Sequence, residues 1–464
     1  MKTLIINGSN EQILEQNELD KHSSYLKEIK VYDLASDRST AVEISHEVKE
    51  NEMAEITFDD GSSWIGGIDE LPEIFDKPEN RSIRQDSDKW TLPNSISLEV
   101  SRGRIKDLAL KFLKVFRTKV IAKSTGLIAA KIDNKNIKSE GLYHVRKDME
   151  IGKIVDPKRL ELGKRYLLFI HGTASSYNGS YGDLISNEYV GKALREFYGE
   201  RILAFNHYTL SKSPVQNCID LISSLPDQIE IDVISSSRGG VIADILSRYN
   251  HTNNQIGFQA DELLYLQKEF REDIKKELEV LNKAALGKKI NLQRLIRVAC
   301  PASGTSLLGK NLNIFFNVIR NLIRAATGGG SVVMSHIGDL IIDIIKLKDD
   351  PNVLPGLEAM TPKSSLLYLL NQKKYKTNTS ISYVSANSNI KGGFLKGAAF
   401  VLTRLIMWRK NDFVVDTHSM LQGVQRSLSN RSYEVKNNEI HHLAYFKDER
   451  FTSSIVHELS LIHI

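Results

Sequence analysis

The chain of 464 residues has only two cysteines, Cys218 and Cys300, and their spacing matches no paired motif. This scarcity argues against a disulfide framework or a cysteine-based zinc site and fits a reducing, cytoplasmic compartment. Long uncharged apolar runs are also lacking, because the nearest candidate, GGFLKGAAFVLTRLIMW, is interrupted by Lys396 and Arg404. A membrane-spanning helix needs about 18 or more such residues, so we expect no transmembrane segment. The apolar start of the chain is too short for a secretory signal.

Charge of one sign is not in excess either. Lys and Arg number 62 against 57 Asp and Glu, and this net charge of +5 does not identify a nucleic-acid-binding protein. The sequence has no G-x-x-x-x-G-K-[ST] and no G-x-G-x-x-G after a predicted strand, so no motif supports nucleotide binding. The terminal VHELSLIHI lacks the histidine pair of a zinc metalloprotease helix, and we predict no metal site.

Length and residue pattern together predict two domains, because a chain this long exceeds what one compact core usually holds. Residues 1–150 contain AVEISHEV, AEITFDD and SISLEVS, which are typical of strands and predict a smaller β-rich accessory domain. In RIKDLALKFLKVFRTKVIAK, Leu108, Phe112 and Phe116 follow a helical spacing with lysines between them. We therefore expect an amphipathic helix there. Such a helix either lies on a membrane surface or, more often, packs against a neighbouring domain.

Residues 155–464 show a different rhythm, in which short apolar runs alternate with longer helical segments. The runs are RYLLFIHG, RILAFNH, IEIDVISS, RLIRVACP and SISYVSAN. Near-continuous apolar strands separated by helices are typical of a parallel sheet covered on both faces. We therefore predict a doubly wound α/β domain with a mostly parallel sheet and with helical insertions at 258–290 and 306–372.

The run EIDVISSSRGGVIADIL places Ser237 between a predicted strand and a predicted helix. Ligands of such sheets bind outside the carboxyl ends of the strands, so we expect Ser237 to face that crevice. A nucleophile on this kind of sharp turn needs small residues two positions away on either side, and Ser235 and Gly239 meet that need. The alternative interpretation is a plain polar turn.

SSSRGG resembles the nucleophile elbow of the α/β-hydrolase-fold lipases and esterases, in the bacterial variant that ends Ser-Arg-Gly-Gly. It departs from G-x-S-x-G because Ser235 replaces the first glycine and adds a Cβ to the turn. Upstream, YLLFIHGTASS resembles the oxyanion loop after the third strand of these lipases. The resemblance implies that the backbone N–H groups of Thr173 and Arg238 would hold an oxyanion, with His171 structural. For Thr173 a helix N-cap is the alternative, and the Arg238 side chain is expected to brace the turn through a carboxylate.

The resemblance also implies an acid and a histidine downstream, in the order Ser, Asp, His. WRKNDFVVDTHSM contains Asp412 in an Asn-Asp-x-Val-Val pattern similar to the lipase loop that carries the acid, and Asp416 is the competitor. NNEIHHLAYF offers His441 and His442, of which the family pattern favours His442. Neighbouring side chains on an extended segment point in opposite directions, so only one of the two can reach Ser237.

Together these motifs predict a serine hydrolase of the lipase or carboxylesterase type, with Ser237 as nucleophile, His442 as base and Asp412 as acid. This chemistry requires no metal or organic cofactor. The apolar insertion at 306–372 is broken by the glycines at 328–330. It is interpreted either as helices that cover the sheet or as a hinged lid that presents an apolar wall to an acyl chain. These features favour a lipid-like or bulky hydrophobic ester as substrate.

Two other hypotheses stay open. The same triad serves thioester or peptide hydrolysis, because a Ser-His-Asp set does not reveal its leaving group. In the other hypothesis the protein is a regulated effector or interaction module, for example in phage defence. The N-terminal domain would then bind a partner protein, and the hydrolase activity would be latent or lost.

Overall fold

A computed structural model describes most of the chain. The described residues are 3–13, 26–34, 42–75, 88–100, 104–118, 125–308, 312–327, 338, 341, 354–388, 410–426, 431–435 and 440–461.

The strands and helices are numbered here in chain order. The strands are β1 (Thr3–Ile13), β2 (Leu26–Leu34), β3 (Val42–Glu47), β4 (Glu52–Phe58), β5 (Ser63–Gly67), β6 (Lys89–Thr91), β7 (Ser95–Val100), β8 (Arg104–Thr118), β9 (Gly141–Val145), β10 (Ile151–Ile154), β11 (Arg165–Ile170), β12 (Ile202–Asn206), β13 (Gln228–Ser236), β14 (Lys289–Val298), β15 (Lys376–Thr377), β16 (Ser380–Ala386), β17 (Gln425–Arg426) and β18 (Arg431–Val435). The helices are α1 (Leu71–Phe75), α2 (Thr125–Asn136), α3 (Tyr177–Ile185), α4 (Glu188–Tyr198), α5 (Pro214–Ser223), α6 (Gly239–Ser247), α7 (Ala260–Lys268), α8 (Glu272–Ala284), α9 (Leu312–Thr327), α10 (Pro355–Glu358), α11 (Ser365–Leu370), α12 (Thr417–Met420) and α13 (Glu449–Ser460). Of the helices in these described ranges, none combines the length and the apolar character needed to cross a bilayer.

The chain divides into two compact units that are interleaved in sequence. The first, called here the antiparallel unit, holds Met1–Ile128, Lys310–Asp350 and Asn389–Trp408. The second, the α/β unit, holds Ala129–Gly309, Pro351–Ser388 and Arg409–Ile464. The sequence analysis expected consecutive domains at 1–150 and 155–464. The observed division differs because the first unit recruits two later segments and because β9 and β10 pair within the sheet of the second.

The antiparallel unit is built on an eight-stranded sheet. Its strands pair in the order β3-β1-β2-β8-β4-β5, with β6 beside β1 and β7 beside β8. Side chains of alternate residues, among them Leu4, Ile56 and Trp64, form its apolar core. The three strand-like runs named from the sequence are β3, β4 and β7, and the β-rich character of this region is as predicted.

Strand β8 occupies the residues for which the sequence analysis predicted an amphipathic helix. Leu108 and Leu110 are buried on one side of Lys111, and Leu113 and Val115 are buried on the other. At Lys111 the pairing with β4 shifts by one residue, which is a β-bulge. This extra residue changes the phase of a period-two pattern and produces an apparent helical spacing. The helix prediction is therefore wrong.

Helix α9 covers β5, the terminal strand of that sheet. The side-chain amide of Asn317 accepts a hydrogen bond from the Ile65 N–H (2.9 Å) and donates one to the Ile65 carbonyl (2.7 Å). Asn321, one turn later, makes the same pair of bonds to Ser63 (2.9 and 2.7 Å). Each amide thus replaces part of the neighbouring strand that β5 lacks, which blocks the sheet edge. The hinge predicted at 328–330 lies outside the described residues.

The α/β unit is built on a second eight-stranded sheet, in the order β10-β9-β12-β11-β13-β14-β16-β18. From β12 to β18 the neighbours are parallel, and the β9–β10 hairpin forms an antiparallel edge. All five apolar runs named from the sequence are strands of this sheet. The predicted α/β class with a mostly parallel sheet is confirmed, and the charged insertion at 258–290 forms α7 and α8.

The order of the strands reverses at β11. The chain first moves from β11 to β12 on one side and then places β13 on the other. At such a switch point the loops that follow the two strands separate and leave a crevice. The Tyr181 hydroxyl of α3 lies 2.8 Å from the carbonyl of Ile170 and 2.9 Å from that of Ile234, so it ties the ends of β11 and β13 together.

Candidate active site

Ser237 stands on the turn between β13 and α6. Its φ of 51° lies in the left-handed region, which a serine rarely adopts. The Ser237 N–H donates to the Val298 carbonyl (2.8 Å), and the Ser237 carbonyl accepts from the Gly240 N–H (2.9 Å). The backbone is thus held in a strained conformation of the kind that clusters at functional sites.

The two glycines that follow Arg238 have to be small because α6 packs very closely here. A Cβ on Gly239 would lie 2.3 Å from a carbonyl oxygen at the end of β11, and one on Gly240 would lie 2.4 Å from the sulfur of Cys300. Ser235, at the place of the first glycine in G-x-S-x-G, is fully buried. Its hydroxyl donates to a carbonyl of β14 at 3.3 Å, so the turn accommodates the extra Cβ.

Ser237, His442 and Asp412 form one continuous chain of hydrogen bonds. Ser237 Oγ lies 2.8 Å from His442 Nε2, and His442 Nδ1 lies 2.7 Å from Asp412 Oδ2. The backbone N–H of His442 also donates to the Asp412 carbonyl at 3.0 Å. Asp412 is fully buried, whereas Ser237 is partly exposed. The structure therefore brings together three side chains that the sequence analysis selected from three separate motifs.

The two competing residues have other partners. His441 Nδ1 accepts a hydrogen bond from the Leu443 N–H at 3.3 Å. Burial lowers the pKa of His441 to about 4, so this imidazole is neutral at pH 7. The carboxylate of Asp416 accepts hydrogen bonds from the N–H and hydroxyl of Ser306, at 3.1 and 3.3 Å. The geometry thus favours His442 and Asp412 over both.

The Asn-Asp-x-Val-Val sequence explains why the Asp412 carboxylate is held still. Asn411 Oδ1 accepts from the Phe413 N–H (2.8 Å), and Asp412 Oδ1 accepts from the N–H groups of Val414 (3.0 Å) and Val415 (2.8 Å). Asn and Asp side chains commonly bond to the backbone two residues on and so form such turns. Because Oδ1 is occupied by the loop itself, Oδ2 is the oxygen presented to the imidazole.

Asp412 Oδ2 has a second donor that the sequence analysis did not single out. The Tyr445 hydroxyl lies 2.9 Å from it, and Tyr445 is only 1% exposed. The residues between His442 and Tyr445 form a tight turn in which the Ala444 N–H donates to the His441 carbonyl. An aromatic hydroxyl three residues after the histidine, in HHLAY, was the available signal.

The predicted oxyanion donors lie on the two loops that meet at Ser237. Gly172, which precedes Thr173, packs so closely that a Cβ there would lie 3.0 Å from Ser237 Cβ. In the part of the chain that the structure describes, the N–H groups of Thr173 and Arg238 have no hydrogen-bond acceptor. N–H groups without an acceptor beside a serine hydroxyl suit a developing oxyanion. Thr173 is not a helix N-cap, because Ser176 occupies that position in α3.

A buried carboxylate, Asp133 of α2, supports the loop that follows β11, and the sequence analysis missed it. It accepts hydrogen bonds from the N–H groups of Thr209 and Ser211 (both 2.9 Å) and from their hydroxyls (3.1 and 2.7 Å). The Thr209 hydroxyl in turn accepts from the N–H of Ala174 at 2.8 Å. Ala174 has a φ of 49°, so this network holds a second strained residue directly after Thr173.

His171 and His207 stack behind the same loop, with ring centroids 4.0 Å apart. His171 Nε2 accepts from the His207 N–H at 3.1 Å, so Nδ1 carries the proton and donates to the Gly172 carbonyl at 3.0 Å. Burial lowers the pKa of His171 to about 3 and keeps the ring neutral. The bond therefore fixes the Gly172 peptide without adding a charge.

The Arg238 side chain braces the turn through carbonyl oxygens rather than through the carboxylate expected from the sequence. Nε donates to the Gly356 carbonyl (2.8 Å), and Nη2 donates to the Lys212 carbonyl (2.7 Å) and to Asn217 Oδ1 (2.8 Å). Burial lowers the pKa of Arg238 to about 9, so the group stays protonated at neutral pH. The guanidinium thereby connects the turn to the loops before α5 and at α10.

The assembled groups are a hydroxyl, an imidazole placed to take its proton, a carboxylate that orients the imidazole, and nearby N–H donors. This set suits attack on an acyl carbon. Among the described residues, no group of three or more His, Cys, Asp or Glu side chains is arranged to hold a metal ion.

The fold of this unit is α/β, with a mostly parallel sheet. More than half of the chain, residues 135–265 and 277–460, matches the model of a domain of unknown function, DUF7379, and the chain belongs to that family. No curated protein matches. Among solved structures, lipase 1 from Pelosinus fermentans is 13% identical, with a TM-score of 0.42, over 64% of this chain and 98% of that one. An esterase from Pyrobaculum calidifontis is 10% identical, with a TM-score of 0.29, over 73% and 91% of the two chains. Likenesses this distant say nothing about the chemistry of this chain.

Proposed function

We propose that this protein is a serine hydrolase that cleaves an ester bond with Ser237, His442 and Asp412. The observation that carries the proposal is the unbroken hydrogen-bond chain, 2.8 and 2.7 Å long, which ends on a serine at a strained strand-to-helix turn. That turn follows β13 and so belongs to the switch point of the sheet, where ligands of α/β proteins bind.

In the proposed reaction, Ser237 Oγ bonds to the acyl carbon while His442 Nε2 takes its proton. The N–H groups of Thr173 and Arg238 hold the oxyanion of the tetrahedral intermediate. When the bond to the leaving alcohol breaks, His442 returns the proton to that oxygen. Water then attacks the acyl-enzyme by the same route and regenerates the serine, while Asp412 fixes the tautomer and stabilises the imidazolium.

A hydrophobic, lipid-like acyl group is part of the proposal. Its support is the apolar sequence around 306–372, and not the geometry at Ser237, which suits a thioester or a peptide equally well. Of that sequence, α9 packs against β5 of the antiparallel sheet, so this helix has a structural partner. The chain length of the acyl group is therefore a separate question from the chemistry and needs its own test.

The chemistry is tested by labelling with a fluorophosphonate probe, which reacts with activated serines. We expect the wild type and Ser236→Ala to be labelled and Ser237→Ala not to be, since Ser236 shares the turn but lies outside the hydrogen-bond chain. His442→Ala should abolish labelling and His441→Ala should retain it. A folded wild-type protein that the probe does not label would reject the proposal and favour the effector module.

The substrate class is tested with p-nitrophenyl esters of increasing acyl length, together with a thioester and a peptide substrate. We expect turnover to rise with acyl length. A maximum at the shortest esters would contradict the lipid-like assignment and leave the hydrolase assignment intact. Cleavage of the thioester or the peptide alone would replace the ester by that bond.

A further inference from the structure

We infer that Tyr445 is a positioning residue which acts through Asp412 and sets both the orientation and the basicity of His442. Its effect on turnover rests on the proposed function, whereas its effect on the titration of His442 does not. The observation behind it is that two donors, the imidazole and the Tyr445 hydroxyl, share one oxygen of a buried carboxylate.

The Asp412 carboxylate is fully enclosed by donors. Oδ1 accepts from two backbone N–H groups, at 3.0 and 2.8 Å, while Oδ2 accepts from His442 Nδ1 at 2.7 Å and from the Tyr445 hydroxyl at 2.9 Å. Hydrogen bonds that stabilise the ionised form of a carboxylate are strong in a buried site. Tyr445 contributes the one such bond on Oδ2 that comes from a neutral side chain outside the three-residue chain.

The surroundings of the Tyr445 hydroxyl direct its single proton to Asp412. The Ala386 N–H, at the end of β16, donates to the Tyr445 oxygen at 3.0 Å and occupies its acceptor side. The competing acceptor is the thioether sulfur of Met420 at 3.5 Å, which is far weaker than a carboxylate. Burial raises the pKa of Tyr445 well above its ordinary value, so the hydroxyl stays protonated and remains a donor.

Two consequences follow for His442. The Tyr445 bond draws negative charge toward itself on Oδ2, which weakens the attraction between Asp412 and a protonated imidazole. The same bond prevents the carboxylate from rotating away from Nδ1. Tyr445→Phe should therefore raise the pKa of His442 and loosen the alignment of the imidazole with Ser237.

The first measurement follows the His442 imidazole directly by NMR titration, with its resonance assigned by its loss in His442→Ala. We expect the pKa of His442 to rise by about 0.5 to 1 unit in Tyr445→Phe. The matched control is Tyr198→Phe, which also removes a hydroxyl bound to a buried carboxylate, Asp232 Oδ2 at 2.8 Å. Asp232 lies five residues before Ser237 on β13, roughly 16 Å away. The control should leave the His442 titration unchanged. An unchanged titration in Tyr445→Phe overturns the inference.

The second measurement is the pH profile of p-nitrophenyl ester hydrolysis. In Tyr445→Phe we expect kcat to fall several-fold with KM within twofold, and the acid limb of kcat/KM to move upward by the same amount as the NMR titration. Loss of rate with an unmoved acid limb, matched by Tyr198→Phe, would show that Tyr445 only stabilises the fold. If the wild type hydrolyses nothing and is not labelled, the proposed function fails, and the NMR result still decides the inference.

Tyr445→Phe also leaves the Ala386 N–H without its acceptor, which threatens folding. Replacement of Tyr445 by 3-fluorotyrosine keeps the hydroxyl and makes it a stronger donor. This variant should move the pKa of His442 in the opposite direction, below that of the wild type. A shift upward, or none, with this residue would contradict the inference even if the phenylalanine variant cannot be purified.

Discussion

Both units of the protein contain a chain of hydroxyl, imidazole and carboxylate. In the antiparallel unit, the Tyr32 hydroxyl lies 2.9 Å from His46 Nδ1, and His46 Nε2 lies 2.8 Å from Glu52 Oε2. In the α/β unit, the corresponding distances from Ser237 through the imidazole to its carboxylate are 2.8 and 2.7 Å. By composition and distance alone, these two rows of hydrogen-bonded side chains are nearly equivalent.

The difference lies in what surrounds the hydroxyl. Tyr32 is 1% exposed and sits on β2, between β1 and β8 in the interior of the sheet, so no substrate can reach its oxygen. Ser237 is partly exposed, has a positive φ, and adjoins two N–H groups that have no acceptor among the described residues. Three side chains in line therefore do not make a candidate active site. Access, a strained turn and oriented donors distinguish the second chain from the first.

The largest expected effect comes from removing the hydroxyl group at the start of each hydrogen-bond row. Ser237→Ala should reduce ester hydrolysis by about 10⁴- to 10⁶-fold with little change in stability, because it removes the proposed nucleophile and only one partly exposed hydroxyl. Tyr32→Phe should leave hydrolysis unchanged and destabilise the antiparallel unit by about 1–3 kcal/mol, because His46 loses a buried partner. Steady-state rates and urea unfolding of both variants measure this. A loss of activity in the tyrosine variant would contradict the separation of roles.

The next effect compares the two carboxylates. Asp412→Asn should lower kcat by about 10⁴-fold, because an amide stabilises neither the required tautomer nor the imidazolium. Glu52→Gln should leave kcat unaltered. The measurement is kcat across pH for both variants with one p-nitrophenyl ester. Equal rates for Asp412→Asn and the wild type would show that another group orients His442.

The two units should also respond to pH with opposite sign. Burial raises the pKa of Asp232 to about 6, more than its hydrogen bond to Tyr198 lowers it. The folded state therefore holds the Asp232 proton more tightly than the unfolded chain does. The free energy of unfolding of the α/β unit falls by up to about 3 kcal/mol as the pH rises from about 4 through 6. Asp232→Asn should abolish this slope, as measured by urea unfolding followed by circular dichroism. An unchanged slope would assign it to other groups.

Glu55 of the antiparallel unit works in the other direction. Burial alone would raise its pKa, but Arg320 and Lys114 outweigh burial and lower the pKa of Glu55 to about 2. The ionised Glu55 therefore stabilises the folded antiparallel unit above pH 4.5, and this contribution is lost as the pH falls toward 2. Glu55→Gln should flatten the acid side of the unfolding curve. Tryptophan fluorescence follows this unit, since Trp64 and Trp90 are buried in it.

The smallest effect concerns the edge of the antiparallel sheet. Asn321→Leu keeps the number of side-chain heavy atoms but leaves the Ser63 N–H and carbonyl without the amide, so we expect the free energy of unfolding of the antiparallel unit to fall by about 2 kcal/mol. The urea concentration at the midpoint of unfolding, followed by tryptophan fluorescence, should fall, while ester hydrolysis at low urea stays constant. Asn371→Leu offers a matched control in the α/β unit, where its amide donates to the Ala302 carbonyl at 2.8 Å. A loss of activity in Asn321→Leu would show that the edge matters to the reaction.

Much of the α/β unit could be predicted because its signals are local. The apolar runs of β11 to β14 and β16, the small residues around Ser237 and the Asn-Asp-x-Val-Val turn each depend on neighbours a few residues away. The same logic failed at β8, where the bulge at Lys111 shifted the alternation and made a strand look like a helix. At α9 the local pattern predicted a helix but not its partner strand, which lies some 250 positions away in the sequence.

By itself, the sequence determined the parallel strands from β11 to β16 and where the sharp turn with its serine falls, since backbone preferences and hydrophobic period act over short distances. Only the tertiary structure decided which histidine faces the serine, that Tyr445 shares the Asp412 oxygen, and that Asp133 supports the loop after β11. Those contacts join residues that are distant in the chain, or they distinguish two neighbouring histidines whose side chains point in different directions. They arise when strand order and packing bring the loops together, and no local pattern encodes that.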